Sequence, residues 1–332
     1  MSRPLKVLLV AEESAGVQTL KTLAERGHEI VGVMASPEKR AFVGTTPWQL
    51  AQKMGFRTWP ARVVKDGSFA EEVRNAKVDL LLNVHSLFLI APQILDAPRI
   101  GSFNLHPGPL PRYAGLNAPS WAIYHDERTH GVTLHKMVPR IDGGPIAYQE
   151  IFTIEEEETG FSLSAKCIRS GMGLIKQLLD SAARNAADIP LRPQDFAQRR
   201  YFGKEVPESG LLKWSRPARQ IFNFIRACDY CPFQSPWPHG RSVLDGQEIS
   251  IVSASLTRET CSVQPGSVGE TREGRAKVAC GDEWLWIRRL MINGSYAAPD
   301  AVLKPGDRLK DSSWKVRSMP AEKDMSSVVI GT

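Results

Sequence analysis

Apolar segments alternate with helical segments along the first hundred residues. Residues 5–11 form a nearly continuous apolar run, which is typical of a strand buried on both faces of a sheet. A helix is predicted at 14–26, Gly27 marks its end, and residues 28–35 predict the next strand. The alternation continues with a helix at 47–54, a strand at 78–84, a short helix at 92–95 and a strand at 102–106. This order predicts an α/β fold with a Rossmann-like, doubly wound parallel sheet.

The next eighty residues complete a first domain. A Pro/Gly-rich loop follows residue 106, a helix is predicted at 118–125, and strands at 132–138 and 145–154 flank a glycine-rich turn. Apolar side chains recur at helical spacing over residues 159–185 and predict a long helix. We therefore expect the first domain to cover residues 1–189, with a linker at 190–205 that contains Pro190 and Pro193.

The chain changes character after this linker. A helix is predicted at 218–228, and short segments rich in Val, Ile, Trp, Gly and Pro follow, separated by turn residues at hairpin-like intervals. This pattern predicts a small, OB-like β-barrel as the C-terminal domain, over residues 206–312. The remaining residues, 313–332, are mostly polar and are expected to form a tail.

The composition restricts the class of protein. Of the 332 residues, 42% are apolar and 23% are charged, as in a globular chain. No window approaches the roughly 18 uninterrupted apolar residues of a membrane span, so we expect a cytoplasmic protein without a membrane partner. The formal net charge of +6 and the sequence pI near 9.1 permit an anionic partner without selecting one.

The cysteines do not predict a disulfide framework. The chain has five, an odd number scattered along a long sequence, which suits a reducing compartment. Cys228 and Cys231 form a C-x-x-C pair, which is compatible with half a zinc site or with a redox pair. Because no second pair and no His-x-x-x-His motif follow, ordinary packing or loop thiols are favoured, and no metal site is expected.

Three polar residues are placed to carry chemistry. Asn104 and His106 are two apart on one predicted strand, so both side chains project to the same face. The loop at 107–112 contains three prolines and a glycine and is expected to form a rigid rim beside them. Asp142 lies in the glycine-rich turn, where its carboxylate can reach a histidine. An amide donor, an imidazole and a carboxylate can stabilise an oxyanion and move a proton, as acyl transfer to an amine requires.

The sequence around these residues resembles the folate-dependent formyltransferase family. The Asn-x-His pair is followed by PGPLPRYAG at 107–115, by GVTLHKM at 131–137 and by Asp-Gly-Gly at 142–144. Residues 201–204, Trp214 and residues 217–227 are similar to the family's junction into a C-terminal barrel domain. The resemblance implies transfer of a formyl group from N10-formyltetrahydrofolate, the co-substrate, to an amine. It also implies that Asn104, His106 and Asp142 are the catalytic set.

The resemblance further implies which residues bind the two substrates. The predicted folate-binding residues, on either side of the pterin, are His85, Leu87, Leu89, Ile90, Val138 and Ile141. The predicted residues of the amine-acceptor subsite are Pro109, Leu110, Arg112 and Tyr113. The loop after His106 departs from the family's usual Ser-Leu-Leu-Pro, and Ala114 stands where an Arg usually precedes the glycine. These departures leave the identity of the acceptor open.

Three hypotheses about function follow. The short loop at 36–44 and the absence of a dense basic tract favour a small-molecule acceptor, with an amino-sugar nucleotide as the leading class. The predicted barrel and the basic pI keep methionyl-tRNA as an alternative acceptor. A non-catalytic folate- or RNA-binding module is the second alternative, which the intact catalytic set disfavours.

Two further points stay open at this level. The sequence does not determine the oligomeric state, and a homo-oligomer is compatible with it. His135 lies in an alternating strand and is expected to have a cross-strand or core role rather than to act as a second base.

Overall fold

The computed structural model describes residues 3–37 and 44–311. The predicted tail at 313–332 and most of the predicted loop at 36–44 lie outside these residues. Within the described ranges, the chain forms a seven-stranded sheet, a six-stranded sheet and a two-stranded sheet.

The first sheet is built mainly from parallel strands. The strands of this part of the chain are β1 (Lys6–Ala11), β2 (Glu29–Ala35), β3 (Thr58–Pro60), β4 (Leu80–Val84), β5 (Gly101–His106), β6 (Ala114–Gly115), β7 (Thr129–Lys136), β8 (Ile146–Thr153) and β9 (Tyr201–Phe202). The sheet order is β3-β2-β1-β4-β5-β7-β8, and β6 pairs separately with β9. β1 to β5 pair in parallel, which confirms the predicted doubly wound arrangement.

One strand of this sheet, β7, runs opposite to the others, and β8 beyond it returns to their direction. β7 pairs antiparallel with β5, and β8 pairs antiparallel with β7. The connection from β7 to β8 is a short turn, and a connection of this length can join only antiparallel neighbours. The prediction of a parallel sheet therefore does not extend to the two pairs that β7 makes, with β5 and with β8. β3 and a helix at Ala70–Asn75 were not predicted, because both are short and lack a clear period.

Helices cover both faces of the first sheet. They are α1 (Glu13–Glu25), α2 (Pro47–Lys53), α3 (Ala70–Asn75), α4 (Pro92–Leu95), α5 (Ala118–Tyr124) and α6 (Gly160–Arg184). Short 3-10 helices lie at Ala61–Lys65, Gly67–Phe69, Ala186–Asp188, Phe196–Gln198 and Pro207–Gly210. Thr159 begins α6 with a capping box, in which Thr159 and Ser162 each accept a backbone N–H bond from the other. Because helices lie on both faces, Leu8 and Leu9 of β1 are buried in clusters on opposite sides.

The second half of the chain forms an antiparallel barrel. Its elements are α7 (Ala218–Ala227), β10 (Gly240–Leu244), β11 (Gln247–Thr260), β12 (Val268–Arg272), β13 (Arg275–Ala279), β14 (Glu283–Ile292), β15 (Ser295–Ala297) and α8 (Pro299–Val302). The strand order is β10-β11-β14-β13-β12, with β15 on β14. Lys310 bridges to Val243 at one edge, and Arg308 bridges to Ser267 at the other. Because one segment pairs with both edges, the sheet closes, which confirms the predicted small barrel.

The two parts of the chain share a hydrophobic core. Trp121 and Ile123 of α5 lie in the same cluster as Phe222 and Ile225 of α7 and the inner side chains of the barrel. Cys228 is buried in this cluster, as the prediction of a packing thiol requires. Among the helices of the described residues, none combines the length and the apolar character needed to cross a bilayer.

Candidate active site

The carboxyl end of β5 lies between a parallel and an antiparallel neighbour. Asn104 pairs in register with Asn83 on β4 and with His135 on β7, and His106 pairs with Thr133 on β7. Side chains two apart on a strand share a face, so Asn104 and His106 project together. Ligands of open α/β sheets bind at this end of the strands, which is where these polar side chains gather.

The imidazole of His106 has a different partner at each nitrogen. Its Nε2 atom donates a hydrogen bond to the backbone carbonyl of Tyr113 at 2.5 Å. Its Nδ1 atom lies 3.6 Å from Oδ2 of Asp142, beyond hydrogen-bond length. Because a carbonyl can only accept, the neutral ring carries its hydrogen on Nε2 and its lone pair on Nδ1. The carbonyl comes this close because residue 108 is glycine: a Cβ there would lie 2.7 Å from the same oxygen.

The turn between β7 and β8 carries Asp142 into the cluster. Asp142 has a left-handed backbone conformation with φ of 48°, which Asp tolerates better than most residues. Its side chain is 9% exposed, and Oδ2 accepts a hydrogen bond from the N–H of Gly115 at 2.8 Å. Gly144 lets the turn pass close to β7, because a Cβ there would lie 1.8 Å from the carbonyl oxygen of Lys136. The expected approach of Asp142 to His106 is observed as a charge contact rather than a hydrogen bond.

A chain of hydrogen bonds orients the amide of Asn104. Its Oδ1 accepts from Nδ2 of Asn83 at 2.9 Å, and its Nδ2 donates to Nε2 of His135 at 3.1 Å. Nδ1 of His135 donates to the carbonyl of Lys136 at 3.0 Å, which leaves Nε2 as the acceptor. The second hydrogen of Asn104 Nδ2 points toward Oδ1 of Asp142 across a long distance of 3.5 Å. This second N–H is therefore the one that can turn toward an incoming oxygen.

Burial and nearby charge set the ionisation of His106 and Asp142. Burial lowers the pKa of His106 and outweighs the carboxylate of Asp142, which raises it, so the pKa of the ring lies below its usual value. Burial also raises the pKa of Asp142, but the neighbouring His106, then His135 and the N–H of Gly115 together lower it by more, so it too ends below its usual value. At neutral pH the pair is therefore a neutral imidazole beside a carboxylate.

This arrangement offers the parts of an acyl transfer to an amine. Nδ1 of His106 can take a proton from an attacking nitrogen, and Asp142 can stabilise the imidazolium that results. The second N–H of Asn104 can donate to an oxyanion, and one well-aimed donor typically contributes about 3 kcal/mol to the transition state. All three groups are held by bonds that exist before any substrate arrives.

The first group of residues predicted to bind the folate lies on the loop after β4. His85 begins this loop, and its Nδ1 is 3.3 Å from Oε2 of Glu13. Leu87 and Leu89 follow with exposed fractions of 75% and 50%. Ile90 differs from them because it is buried in the core on one face of the sheet. Its side chain is therefore not open to a ligand, so its predicted contact with the folate is one of backbone groups.

The second group lies on the turn that carries Asp142. Val138 is half-buried at the start of this turn, and Ile141 is 39% exposed beside the carboxylate. An apolar side chain that solvent reaches is thus present on each side of the cluster. Across the residues that the structure describes, no group of three or more His, Cys, Asp or Glu side chains is placed to hold a metal ion.

Two of the four residues predicted to contact the amine acceptor are buried. Tyr113 is fully buried and its hydroxyl donates to Glu127 at 2.8 Å, while Leu110 is 3% exposed. The prediction that these two side chains face a substrate is wrong, because they pack beneath the proline-rich loop. Tyr113 contributes its backbone carbonyl to the imidazole instead. Arg112 is exposed and pairs with Glu127 at 2.7 Å, and Pro109 is half-buried.

The residues that hold the proline-rich loop were missed from the sequence. Oγ1 of Thr133 donates to the carbonyl of Gly108 at 2.7 Å and accepts from the N–H of Leu110 at 3.1 Å. Nε2 of Gln149 donates to Thr133 Oγ1 and to the carbonyl of Leu110, both at 2.9 Å. One sequence feature could have identified Thr133: side chains alternate along β7, so Thr133 lies on the same face as His135. His135 does have the expected cross-strand position, and it also bonds to the central amide.

Known proteins match the chain over most of its length. A family model described as formyl transferase matches residues 5–177, and a second, for the formyl transferase C-terminal domain, matches residues 205–301. The sugar 3N-formyltransferase WlaRD, solved with dTDP and 5-N-formyl-THF, has a TM-score of 0.66 and 18% identity, covering 86% of this chain and 97% of its own.

Two further solved structures share the fold. An N-formyltransferase from Helicobacter canadensis, in complex with folinic acid and dTDP-3-aminofucose, has a TM-score of 0.67 and 19% identity, covering 85% of this chain and 98% of its own. HypX from Aquifex aeolicus, in complex with tetrahydrofolic acid, has a TM-score of 0.58 and 19% identity, and the match covers 88% of this chain and 45% of HypX. At sequence identities this low, the structural similarity shows that the fold is shared and does not by itself show a shared activity.

Proposed function

This chain belongs to the formyl transferase family, and we propose that it moves a formyl group from N10-formyltetrahydrofolate to the amine of an amino-sugar nucleotide. One observation carries the proposal. Asn104, His106 and Asp142 meet in a single cluster at the carboxyl end of β5, with a free imidazole nitrogen facing a carboxylate. A protein that only bound folate or RNA would not need this geometry.

The cluster acts by moving one proton between two nitrogens. The acceptor amine attacks the formyl carbon, a C–N bond forms, and the carbonyl oxygen becomes an oxyanion that accepts the N–H of Asn104. Nδ1 of His106 takes the proton that the amine releases, and Asp142 stabilises the charged ring. The proton then passes to N10 of the folate as the bond from N10 to the formyl carbon breaks. The products are the formylated amine and tetrahydrofolate.

The folate is assigned to the loops on either side of the cluster. Leu87 and Leu89 on the loop after β4 and Ile141 on the turn before β8 are exposed apolar side chains. Exposed apolar side chains beside a few polar groups are characteristic of ligand sites, and they suit the flat pterin ring. His85 stands at the start of this surface, and Val138 at its other side. Ile90 contributes through its backbone.

The amino-sugar nucleotide is supported by the ligands of two similar structures. WlaRD was solved with dTDP, and the Helicobacter canadensis enzyme with dTDP-3-aminofucose. On this chain, Arg112 is the exposed cation of the loop after His106, but it is paired with Glu127 as the barrel cations are paired with glutamates. The choice of an amino-sugar nucleotide therefore rests on the ligands of the similar structures and not on this cation.

Methionyl-tRNA ranks second as the acceptor. Binding tRNA depends on cations that neutralise phosphates and release counterions. On the barrel, Arg272 is paired with Glu270 at 3.1 Å and Lys277 with Glu259 at 2.6 Å. Cations that already have acidic partners form a weaker field for a polyanion, so the barrel surface favours a smaller acceptor.

The test is a search for the formylated product. The protein is incubated with N10-formyltetrahydrofolate and separately with amino-sugar nucleotides, free amino sugars and charged initiator tRNA. We expect an amino-sugar nucleotide to gain the mass of one formyl group, and His106→Asn, as the control, to form little product. Transfer to charged tRNA alone would contradict the acceptor, and transfer to none of these amines would contradict the activity.

A further inference from the structure

The segment between the two parts of the chain covers the turn that carries Asp142. Gln194 lies in this segment and is 9% exposed. Its Nε2 atom donates to the carbonyl oxygen of Asp142 at 2.9 Å and to that of Gly144 at 2.6 Å. Arg199, further along the same segment, donates to the carbonyl of Ile141 at 2.9 Å. Side chains of the connecting segment therefore hold three carbonyl groups of the turn.

Backbone pairing holds the connecting segment itself in place. Arg192 and Ile146 exchange two backbone hydrogen bonds, at 2.9 and 2.8 Å. Beyond Gln194, the N–H of Ala114 donates to the carbonyl of Arg200 at 3.0 Å. One of these anchors is on β8 and the other on β6. Backbone hydrogen bonds before and after Gln194 thus fix the position from which its side-chain amide reaches the turn.

The position of the carboxylate depends on the backbone of this turn. Asp142 has φ of 48°, a conformation that is unfavourable for a residue with a Cβ unless neighbouring groups impose it. The carboxylate lies 3.6 Å from Nδ1 of His106 and 2.8 Å from the N–H of Gly115. A modest rotation in the turn would move it away from both groups. External donors that fix the carbonyls of the turn oppose that rotation.

We propose that Gln194 is a positioning residue of the active site, which holds the carboxylate of Asp142 against His106 by tying the turn to the connecting segment. The proposal rests on the role given to Asp142 in the proposed function. From the sequence, Gln194 belongs to a predicted linker with no other role. The proposal gives it one, and it means that the conformation of the connecting segment affects the position of Asp142.

Two variants test this role, and a third is their control. Gln194→Met removes the amide at nearly constant size, and Gln194→Glu keeps the shape but replaces the donors by acceptor oxygens. Gln198→Met makes the same change on an exposed side chain of the same segment, which donates to Asp195 instead of the turn. We expect both Gln194 variants to lower kcat about tenfold with KM values within about twofold, because the carboxylate acts in the chemical step. Gln198→Met should match the native protein.

The pH profile separates positioning from a loss of folded protein. The carboxylate of Asp142 raises the pKa of His106, so moving it away lowers that pKa. The acid limb of kcat/KM should therefore shift to lower pH in Gln194→Met and stay in place in Gln198→Met. A tenfold loss of kcat with an unmoved acid limb would overturn the proposal, as would an unchanged kcat.

The amide hydrogen of Gly115 reports the position of the carboxylate without an activity assay. Because it donates to Asp142, its exchange with deuterated water should be at least about fivefold faster in Gln194→Met. The amide of Gly266, which donates to Ala279 in the barrel, should exchange as in the native protein. Equal exchange at Gly115 in both proteins would overturn the proposal.

The two proposals can fail separately. If the native protein transfers no formyl group, the proposed function fails, while exchange at Gly115 still decides whether Gln194 positions the carboxylate. If Gln194→Met does not fold, Gln194→Glu carries the kinetic and exchange measurements with the same expected directions, because carboxylate oxygens cannot donate to the two carbonyls. The pH profile is read only in Gln194→Met, since the negative charge of Gln194→Glu would itself raise the pKa of His106.

Discussion

The first sheet and the barrel treat their polar side chains in opposite ways. At the end of β5, the interacting polar side chains are withdrawn from solvent and contact one another: Asn83, Asn104, His106, His135 and Asp142. On the barrel, Arg272, Arg275 and Lys277 lie over the ring of Trp286 at 5.2 to 5.5 Å, and each also pairs with a glutamate. One region holds polar groups inside, and the other pairs charged side chains that are exposed, as in Arg272, or half-buried, as in Lys277.

The comparison shows that a polar side chain affects the reaction most when it is buried. In a buried cluster, a hydrogen bond orients a reacting group and burial shifts its pKa, because water no longer competes. On a surface, water and salt screen ion pairs, which typically contribute only about 0–1 kcal/mol. Turnover should therefore depend on the burial of the substituted polar group and not on its formal charge.

The largest effect is expected at His106. His106→Ala removes the atom that accepts the proton, and loss of a general base typically lowers turnover about a hundredfold or more. Folding and folate binding should change little, since the ring touches the carbonyl of Tyr113 and not the core of the barrel. Steady-state kinetics measure the loss of turnover, circular dichroism checks the fold, and a folate titration checks binding. Near-normal kcat in a folded variant would contradict the assignment.

A similar but smaller effect is expected at Asn104. Asn104→Ala removes the donor to the oxyanion, and the loss of one such donor lowers kcat about a hundredfold. Because an oxyanion exists only in the transition state, KM for both substrates should change little. Comparison of kcat and KM with the native values provides the measurement. An effect confined to KM would show that the amide binds substrate in its ground state.

His135 tests whether a residue outside the proton path matters. His135→Leu removes the acceptor that orients Asn104, and a net hydrogen bond of about 1 kcal/mol corresponds to roughly a fivefold loss of kcat. His130→Leu is a suitable control, because His130 is also buried but donates to the carbonyl of Pro107. A kcat that falls equally in both variants would indicate a general packing defect.

The smallest effect is expected on the barrel. Arg272→Glu combined with Arg275→Glu reverses two exposed charges, and kcat/KM for an amino-sugar nucleotide should stay within about twofold. Apparent acceptor affinity of the native protein should likewise change only a few-fold between about 50 and 200 mM salt. If instead the affinity for charged tRNA fell steeply with salt, and the double variant lost this dependence, the barrel surface would be the site that binds the acceptor. Methionyl-tRNA would then be the leading acceptor.

Much of the fold is accessible from local sequence patterns. The strands and longer helices follow from apolar periodicity, and the order of α and β elements implies a doubly wound sheet with a barrel after residue 205. The antiparallel direction of β7, between β5 and β8, was not predicted, because strand direction depends on where the chain re-enters the sheet. Leu110 and Tyr113 were assigned to a substrate, since a motif identifies a loop but does not say which of its side chains point inward.

The sequence by itself determined that Asn104 and His106 share a face, because a strand alternates with period two and needs no partner to do so. It also placed Asp142 in a glycine-rich turn. Only the tertiary structure decided that Tyr113 takes the Nε2 hydrogen of His106, so that Nδ1 faces the carboxylate. It alone brought Gln194 to the turn. Contacts between segments this far apart arise from how the sheet packs and where the connecting segment crosses it, and no local period encodes that geometry.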